Sequence, residues 1–272
     1  MTADLHTHTT ASDGALAPSE LVRRAAARGI RFLAVTDHDS VSGVPEALAT
    51  APPGMTVIPG AELTCHVAGR EAHVLAYGID VDDSEFGALL GDLAFQREVR
   101  ARRMVERLSA LGVEVEYEDV ERIAGGATLT RPHVARALVE RGHVRSLDEA
   151  FARYIGRSGP AHVAKPHREP RPTFEAVRRA GGVPVLAHPG TFRRDDLIPA
   201  LVEDGLEGLE VRHTEHSAAA ARHYEALARD LGLLPTGGSD FHGSPGHRSQ
   251  IGRPRVPQEW ALNLVDRIGG RD

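Results

Sequence analysis

The stretch "DLHTHTTASDG" (residues 4–14) sets His6 and His8 one residue apart and Asp13 five residues further on. In an extended strand successive side chains alternate between faces, so His6 and His8 share a face and aim at one point. Two converging imidazoles suit a divalent metal ion, although a polar N-terminus with chance histidines would look the same. Further residues of the same types recur along the chain: His38 in "TDHD", Glu62 in "GAEL", His73 in "EAHVLAYG", His188 in "LAHPG", and Asp240 and His242 in "GSDFHG". Imidazole and carboxylate without thiolate favour manganese, iron, zinc or cobalt over copper(I), calcium or magnesium. Closely spaced divalent ions activate water and stabilise charge on a phosphoryl oxygen, so phosphate ester hydrolysis is the reaction this set suits.

The elements that must position these residues are short apolar runs. Strands are expected at "RFLAVTDHD" (31–39), "TVIPGAEL" (56–63), "AHVLAYGI" (72–79), "VPVLAHPG" (183–190), "LEGLEVRH" (206–213) and "LLPTGGSDFHG" (233–243). Helices fall between several of them. Pro18 suits a first helical position and Gly29 closes that helix, Thr173 caps "FEAVRRA" before Gly181, and Ser217 caps "AAAARHYEALARDL" before Gly232. Strand–helix alternation with nearly continuous apolar strands predicts a parallel sheet covered by helices. In such folds the strand ends converge on one mouth, where the metal-binding types are found.

The alternation breaks between residues 84 and 165, where helical segments follow one another without a buried strand. The expected organisation is a main domain of residues 1–83 and 166–272 with a helical insertion over 84–165 that serves as a substrate- or phosphate-binding cap. From Arg97 to Arg168 there are fourteen basic against ten acidic residues, although the whole chain carries a formal charge of −6. That balance argues against long duplex nucleic acid as a partner. The arginine run at 97–107 is expected to form a solvated helix face. No apolar stretch is long enough to span a membrane. Cys65 is the only cysteine, which excludes an intrachain disulfide, and a buried thiol is its expected role. With the first motif starting at residue 6, the expectation is a cytoplasmic protein.

Taken together, "DLHTHTTASDG", "TDHDS", "AHPG" and "GSDFHG", with "GAEL" and "HVLAYG" between them, resemble the polymerase and histidinol phosphatase (PHP) superfamily. The likeness runs along essentially the whole chain. It implies an α/β fold, a distorted (β/α)7 barrel with a helical insertion, and a site for three divalent ions, manganese first. By resemblance, His6, His8, Glu62 and Asp240 would hold one ion. Glu62 would bridge to a second, bound also by His73 and His188. Asp13, His38 and His242 would hold the third. Among these, Glu62, His188 and Asp240 are the catalytic candidates. Asp37 and Asp39 are placed to orient ligands, and Asp4 either orients His6 or opens the strand.

Within the superfamily the similarity is to stand-alone phosphoesterases, which include nucleoside 3′,5′-bisphosphate phosphatases and enzymes trimming short RNA from its 5′ end. The implied substrate is a small phosphorylated metabolite of that kind, or a short 5′-phosphorylated oligoribonucleotide, cleaved by in-line attack of a metal-bound hydroxide. Arg131 in "TRPH" resembles a clamp for a second phosphate. His133, Arg157 and Ser158 are further substrate-binding candidates, and His213 or His216 could protonate the leaving group. No protein partner is implied. Histidinol phosphate or a pathway-specific metabolite is the alternative substrate. An amidohydrolase is a remoter reading, because many of those bridge two metals with a strand lysine, whereas Lys165 sits in a Pro-rich connector. A non-catalytic PHP module is disfavoured because all nine ligand positions are filled.

Overall fold

The computed structural model describes residues 2–243 and 250–270, which form two compact units, Met1–Ala88 with His167–Asp272 and Leu89–Pro166. In chain order the first unit opens with β1 (Thr2–Asp4), α1 (Pro18–Ala27), β2 (Ile30–Val35), α2 (Val44–Thr50), β3 (Thr56–Val67) and β4 (Arg70–Tyr77). Helix α3 (Ser84–Ala110) leads into the second unit, which holds α4 (Tyr117–Ala124), α5 (Arg131–Glu140), α6 (Leu147–Ala150) and a π turn at Phe151–Ile155. The chain returns through α7 (Pro170–Arg179), β5 (Val183–Leu186), α8 (Pro189–Phe192), α9 (Ile198–Asp204), β6 (Gly208–Arg212), α10 (Ala218–Asp230), β7 (Leu234–Gly237) and α11 (Gln258–Gly269).

The seven strands lie side by side in chain order. Residues just past β1 and β7 join the two edges. Leu5 N–H donates to Gly237 O at 3.1 Å, Asp240 N–H to His6 O at 2.8 Å and His8 N–H to Phe241 O at 2.9 Å. Those bonds close the sheet into the distorted barrel that the motifs implied. One strand departs from the expected all-parallel arrangement: β4 runs antiparallel to both β3 and β5. The cause is local. Ala68 and Gly69, with φ of 48° and 74°, reverse the chain in two residues, and a parallel crossover needs about a dozen.

The barrel interior is apolar below the site, with Leu5, Phe32, Leu75, Tyr77, Leu186 and Leu209 buried together. Tyr77 Oη–H donates to Leu5 O at 2.7 Å, which satisfies its hydroxyl inside the core. All four residues of β5 are buried, as a strand covered on both faces requires. Helix α1 starts at Pro18 and ends before Gly29 (φ 75°), and Ser217 Oγ caps α10 by accepting Ala220 N–H at 3.1 Å. Thr173, by contrast, lies inside α7. Pro170 occupies the first helical position, where a missing N–H costs nothing, so the helix starts earlier and Thr173 Oγ1 donates to Glu169 O.

The second unit has its own core around Met104, Leu108, Val134, Leu138 and Ile155. Its arginine run is not simply a solvated face. Arg97 and Arg100 are 7% and 5% exposed, and they donate to Leu129 O at 3.3 Å and Val163 O at 2.7 Å. Loop carbonyls with no strand partner are satisfied this way, which is why the charge turns inward. Among the described residues no helix is long and apolar enough to cross a membrane.

Candidate metal centre

Glu62 is the hub of the site. It sits within β3 and is 2% exposed, and five histidines surround its carboxylate. His38 Nδ1, His73 Nδ1 and His188 Nε2 lie 2.9, 2.8 and 3.0 Å from its oxygens, and His6 Nε2 and His8 Nε2 lie at 3.6 and 3.5 Å. A second acid, Asp240, stands 3.5 Å from His6 Nε2, 3.1 Å from His8 Nε2 and 3.5 Å from His213 Nε2. The third, Asp13, faces His242 Nε2 at 3.3 Å and His38 Nε2 at 3.9 Å.

The backbone explains the convergence. His6 and His8 alternate with Thr7 along the extended chain beyond β1, and their rings come within 5.2 Å of each other. Beyond β2, Glu62 N–H donates to Asp37 O and Asp39 N–H to Glu62 O, both at 3.0 Å, which sets His38 beside Glu62. His73 reaches the same mouth from near the start of β4 because that strand is antiparallel. Three residues here have left-handed backbones without being glycine: Asp39 (φ 49°), His188 (φ 30°) and Asp240 (φ 52°). Such conformations cost about 1–3 kcal/mol each and persist only where surrounding bonds impose them. Here the His188 N–H is bound by Glu210 and the Asp240 N–H by His6 O.

All nine expected ligand residues come together, in overlapping groups. Ligand atoms within 4.8 Å of one another define His6–His8–Glu62, Glu62–His73–His188, His8–Asp13–His38–His242 and His6–His213–Asp240. Two details differ from the implied partition. His8 also borders the Asp13 group, and His213 stands with His6 and Asp240. Among the described residues five buried ring nitrogens make no aligned hydrogen bond: His6 Nε2, both nitrogens of His8, His38 Nδ1 and His213 Nε2. Buried polar atoms left in that condition point into a common gap, as ligands to an ion do. The donor set thus fits divalent ions.

Four acids support the ligands, of which Asp37 and Asp4 were offered by the motifs and Glu210 and Glu71 were not. Glu210, fully buried on β6, accepts from His6 Nδ1 at 3.1 and 3.3 Å and so turns His6 Nε2 toward the gap. Its sequence signal is an acid inside the apolar run "LEGLEVRH". Glu71 lies 2.9 Å from His73 Nε2. Asp37 accepts from Thr9 N–H, Thr9 Oγ1 and Ser12 Oγ at 2.7, 2.7 and 2.6 Å, which fixes the loop carrying Asp13. Asp4 accepts from Ser239 N–H, Ser239 Oγ and Gly252 N–H, and thereby holds the loop of Asp240. Cys65 is buried in β3.

Charge in the cluster is strongly coupled. Burial alone would raise the pKa values of Glu62, Asp13 and Asp240, but the facing imidazoles hold all three well below the usual carboxylate range. Burial would lower His242, yet Asp13 and Asp240 push it up to about 10. His6 is likewise raised by Glu210, Asp240 and Glu62 against its burial. Burial and the neighbouring His242 lower His8 to about 3.

The substrate-binding candidates divide. His213 borders the cluster. At His216, Gly190 N–H donates to Nε2 at 3.0 Å, and Nδ1 meets Val211 O at 2.9 Å. Both ring nitrogens are committed to the backbone, and burial lowers its pKa. Arg131, His133, Arg157 and Ser158 belong to the second unit. Arg131 begins α5, with its guanidinium 5.5 Å from the Phe151 ring. His133 is 1% exposed, and its Nδ1 accepts Thr130 N–H at 3.1 Å to close the first turn of α5. Arg157 and Ser158 are exposed in the turn between Gly156 and Gly159. The loop histidines His143, His162 and His167, and His223 within α10, lie outside the cluster, and His247 falls outside the described residues.

A fold of this kind, with a histidine–carboxylate cluster at one end of a seven-stranded barrel, defines the class. The PHP domain family model matches residues 4–141, and the chain belongs to that family. It is 34% identical over 245 residues to a 5′-3′ exoribonuclease of Haemophilus influenzae, covering 88% of this chain and 89% of the relative. It is also 34% identical over 250 residues to a 3′,5′-nucleoside bisphosphate phosphatase of Chromobacterium violaceum, covering 89% and 87%. Among solved structures, a protein assigned as a metal-dependent phosphoesterase from Bifidobacterium adolescentis superposes with a TM-score of 0.90 at 31% identity, covering 97% of this chain and 95% of that one.

Proposed function

We propose that this protein is a metal-dependent phosphoesterase that hydrolyses a nucleoside 3′,5′-bisphosphate or the 5′ end of a short phosphorylated oligoribonucleotide. The observation that carries the reading is the Glu62 carboxylate ringed by five histidines and shared between two ligand groups. His6, His8, Glu62 and Asp240 would hold one divalent ion, Glu62 with His73 and His188 a second, and Asp13, His38 and His242 a third. Manganese suits these donors first, and iron, zinc or cobalt also match them. When bound, such ions supply an activated water and neutralise charge on the phosphoryl oxygens.

The chain's own residues do the rest. Glu62 and Asp240 fix the spacing of the centre, and Glu210 keeps His6 Nδ1 protonated and its Nε2 free for ligation. His213 Nδ1 accepts Glu215 N–H at 3.1 Å, so the proton on its neutral ring sits on Nε2, facing Asp240. Arg131 is proposed to bind the second phosphate of the substrate, with Arg157, Ser158 and His133 beside it, in a cap formed by the helical insertion. An arginine fork matches a phosphate dianion.

Adenosine 3′,5′-bisphosphate and 3′-AMP, compared on protein reconstituted with manganese, test both parts. The reading predicts a much higher kcat/KM for the bisphosphate and loss of that preference in Arg131→Ala. Equal efficiency on the two nucleotides would remove the clamp. No hydrolysis of any nucleotide or of histidinol phosphate, with any of the four metals, would remove the reaction.

A further inference from the structure

Beside the cluster, the barrel unit carries a basic groove whose arginines the reaction above does not use. Two neighbouring cavities of about 390 and 300 Å³ share His213, His216 and Pro254 in their walls. His213 is only 2% exposed, and its Nε2, 3.5 Å from Asp240 Oδ2, has no aligned hydrogen-bond partner among the described residues. The groove therefore begins where the cluster of carboxylates and imidazoles ends.

Its walls are strongly positive. Arg212, Arg222 and Arg255 line the larger cavity and Arg253 the smaller, and Glu225 is the one acid among the described lining residues. Arg212 is fixed in place, its Nη1 donating to Arg255 O at 2.6 Å and its guanidinium 5.1 Å from the Trp260 ring. Arg222, Arg253 and Arg255 are exposed and form no ion pair among the described residues. The first turn of α10 adds to this wall through Ser217 and Ala218, in a helix of 13 residues whose leading N–H groups favour anions. Four guanidinium groups with little acid between them exceed what one phosphate needs, and they suit a chain of phosphates. Among the described residues no lining side chain is Phe, Tyr or Trp, so the contacts on offer are mainly to phosphates.

We infer that this groove binds the sugar–phosphate backbone of a single-stranded oligonucleotide, on the part of the strand beyond the ester being cut. The inference rests on the phosphoesterase reading and narrows it: the preferred substrate is longer than one nucleotide and is held without regard to base sequence. The groove and the cluster together grip a strand whose terminal phosphate ester lies at the metal centre.

The test uses the full chain, the double variant Arg222→Glu/Arg255→Glu and its neutral counterpart Arg222→Gln/Arg255→Gln. All these positions are exposed and lie outside the ligand set. In wild type, KM for 5′-phosphorylated oligoribonucleotides should fall about tenfold between two and eight nucleotides, as backbone contacts accumulate. Both variants should lose that dependence while keeping the kinetics on adenosine 3′,5′-bisphosphate within about twofold. Binding read by anisotropy of a 3′-fluorescein-labelled strand in EDTA should lose about 0.7 from the log–log salt slope for each phosphate contact removed. Length-independent KM in wild type, or variants that bind the strand with an unchanged salt slope, would overturn the groove. Absence of hydrolysis together with a reduced slope would overturn the reaction and leave the groove standing.

Discussion

Glu210 stands behind His6, with its carboxylate oxygens 3.1 and 3.3 Å from His6 Nδ1 and one of them accepting His188 N–H at 2.8 Å. One buried acid on β6 therefore sets the tautomer of a histidine beyond β1 and holds the strained backbone of another beyond β5. Partners of this kind typically govern metal affinity by about 10–100-fold. Glu210→Gln should weaken manganese binding by about that factor while the fold survives, as read by competition against a chelator with circular dichroism alongside. Wild-type affinity in the variant would show that something else orients His6.

Metal loading should release protons. Without ions His242 titrates at about 10, because Asp13 and Asp240 outweigh its burial, and His6 is raised as well. Both are protonated at neutral pH and must lose a proton to ligate. Affinity should therefore climb with pH, by about one log unit per pH unit for each proton released. Calorimetry in buffers of differing ionisation enthalpy reads this directly; a binding enthalpy that ignores the buffer would contradict it.

The same shift fixes a stability trend for the ion-free chain. His242 binds its proton more tightly folded than unfolded, so its contribution is complete below 6.5 and is lost as pH rises through about 10. Ion-free protein should melt at a lower temperature at pH 9 than at pH 6.5, and manganese should remove most of the difference. Melting temperatures that rise with pH in EDTA would refute the trend.

Closure of the barrel depends on Gly238. A Cβ there would stand 2.3 Å from His6 N and 2.4 Å from His6 Cβ, distances no repacking absorbs without moving a strand. Gly238→Ala should cost about 1–3 kcal/mol as an overpacked site and weaken metal binding through His6. Urea unfolding with metal titration checks both, and wild-type values for both would mean the closing strands have slack.

His216 should behave as a structural residue. Because Gly190 and Val211 occupy its two nitrogens, His216→Gln should leave the shape of the pH–rate profile unchanged, with both limbs present. Loss of the alkaline limb would make it the leaving-group acid after all.

Most of the centre was legible because its residues come in short blocks at strand ends, where spacing of two fixes a shared face. His6 and His8 are the clearest case. The direction of β4 was hidden, since an apolar strand reads the same in either direction and only the brevity of the Ala68–Gly69 turn settles it. Glu210 was passed over because one acid inside an apolar run resembles a strand edge until a partner 204 residues away is seen. The arginine run reads as solvated for a related reason: helical spacing does not reveal that Arg97 and Arg100 turn inward to the loop carbonyls of Leu129 and Val163. A mouth histidine such as His216 looks reactive in sequence, and only the backbone around it shows both ring nitrogens engaged.

The most direct test is an anomalous difference map from crystals of manganese-loaded protein. The account predicts peaks on both sides of the Glu62 carboxylate, at roughly 2.0–2.3 Å from its oxygens, with a further peak beside Asp13 and His242. A map with no anomalous peak within bonding distance of Glu62, in protein that hydrolyses phosphate esters, would contradict it.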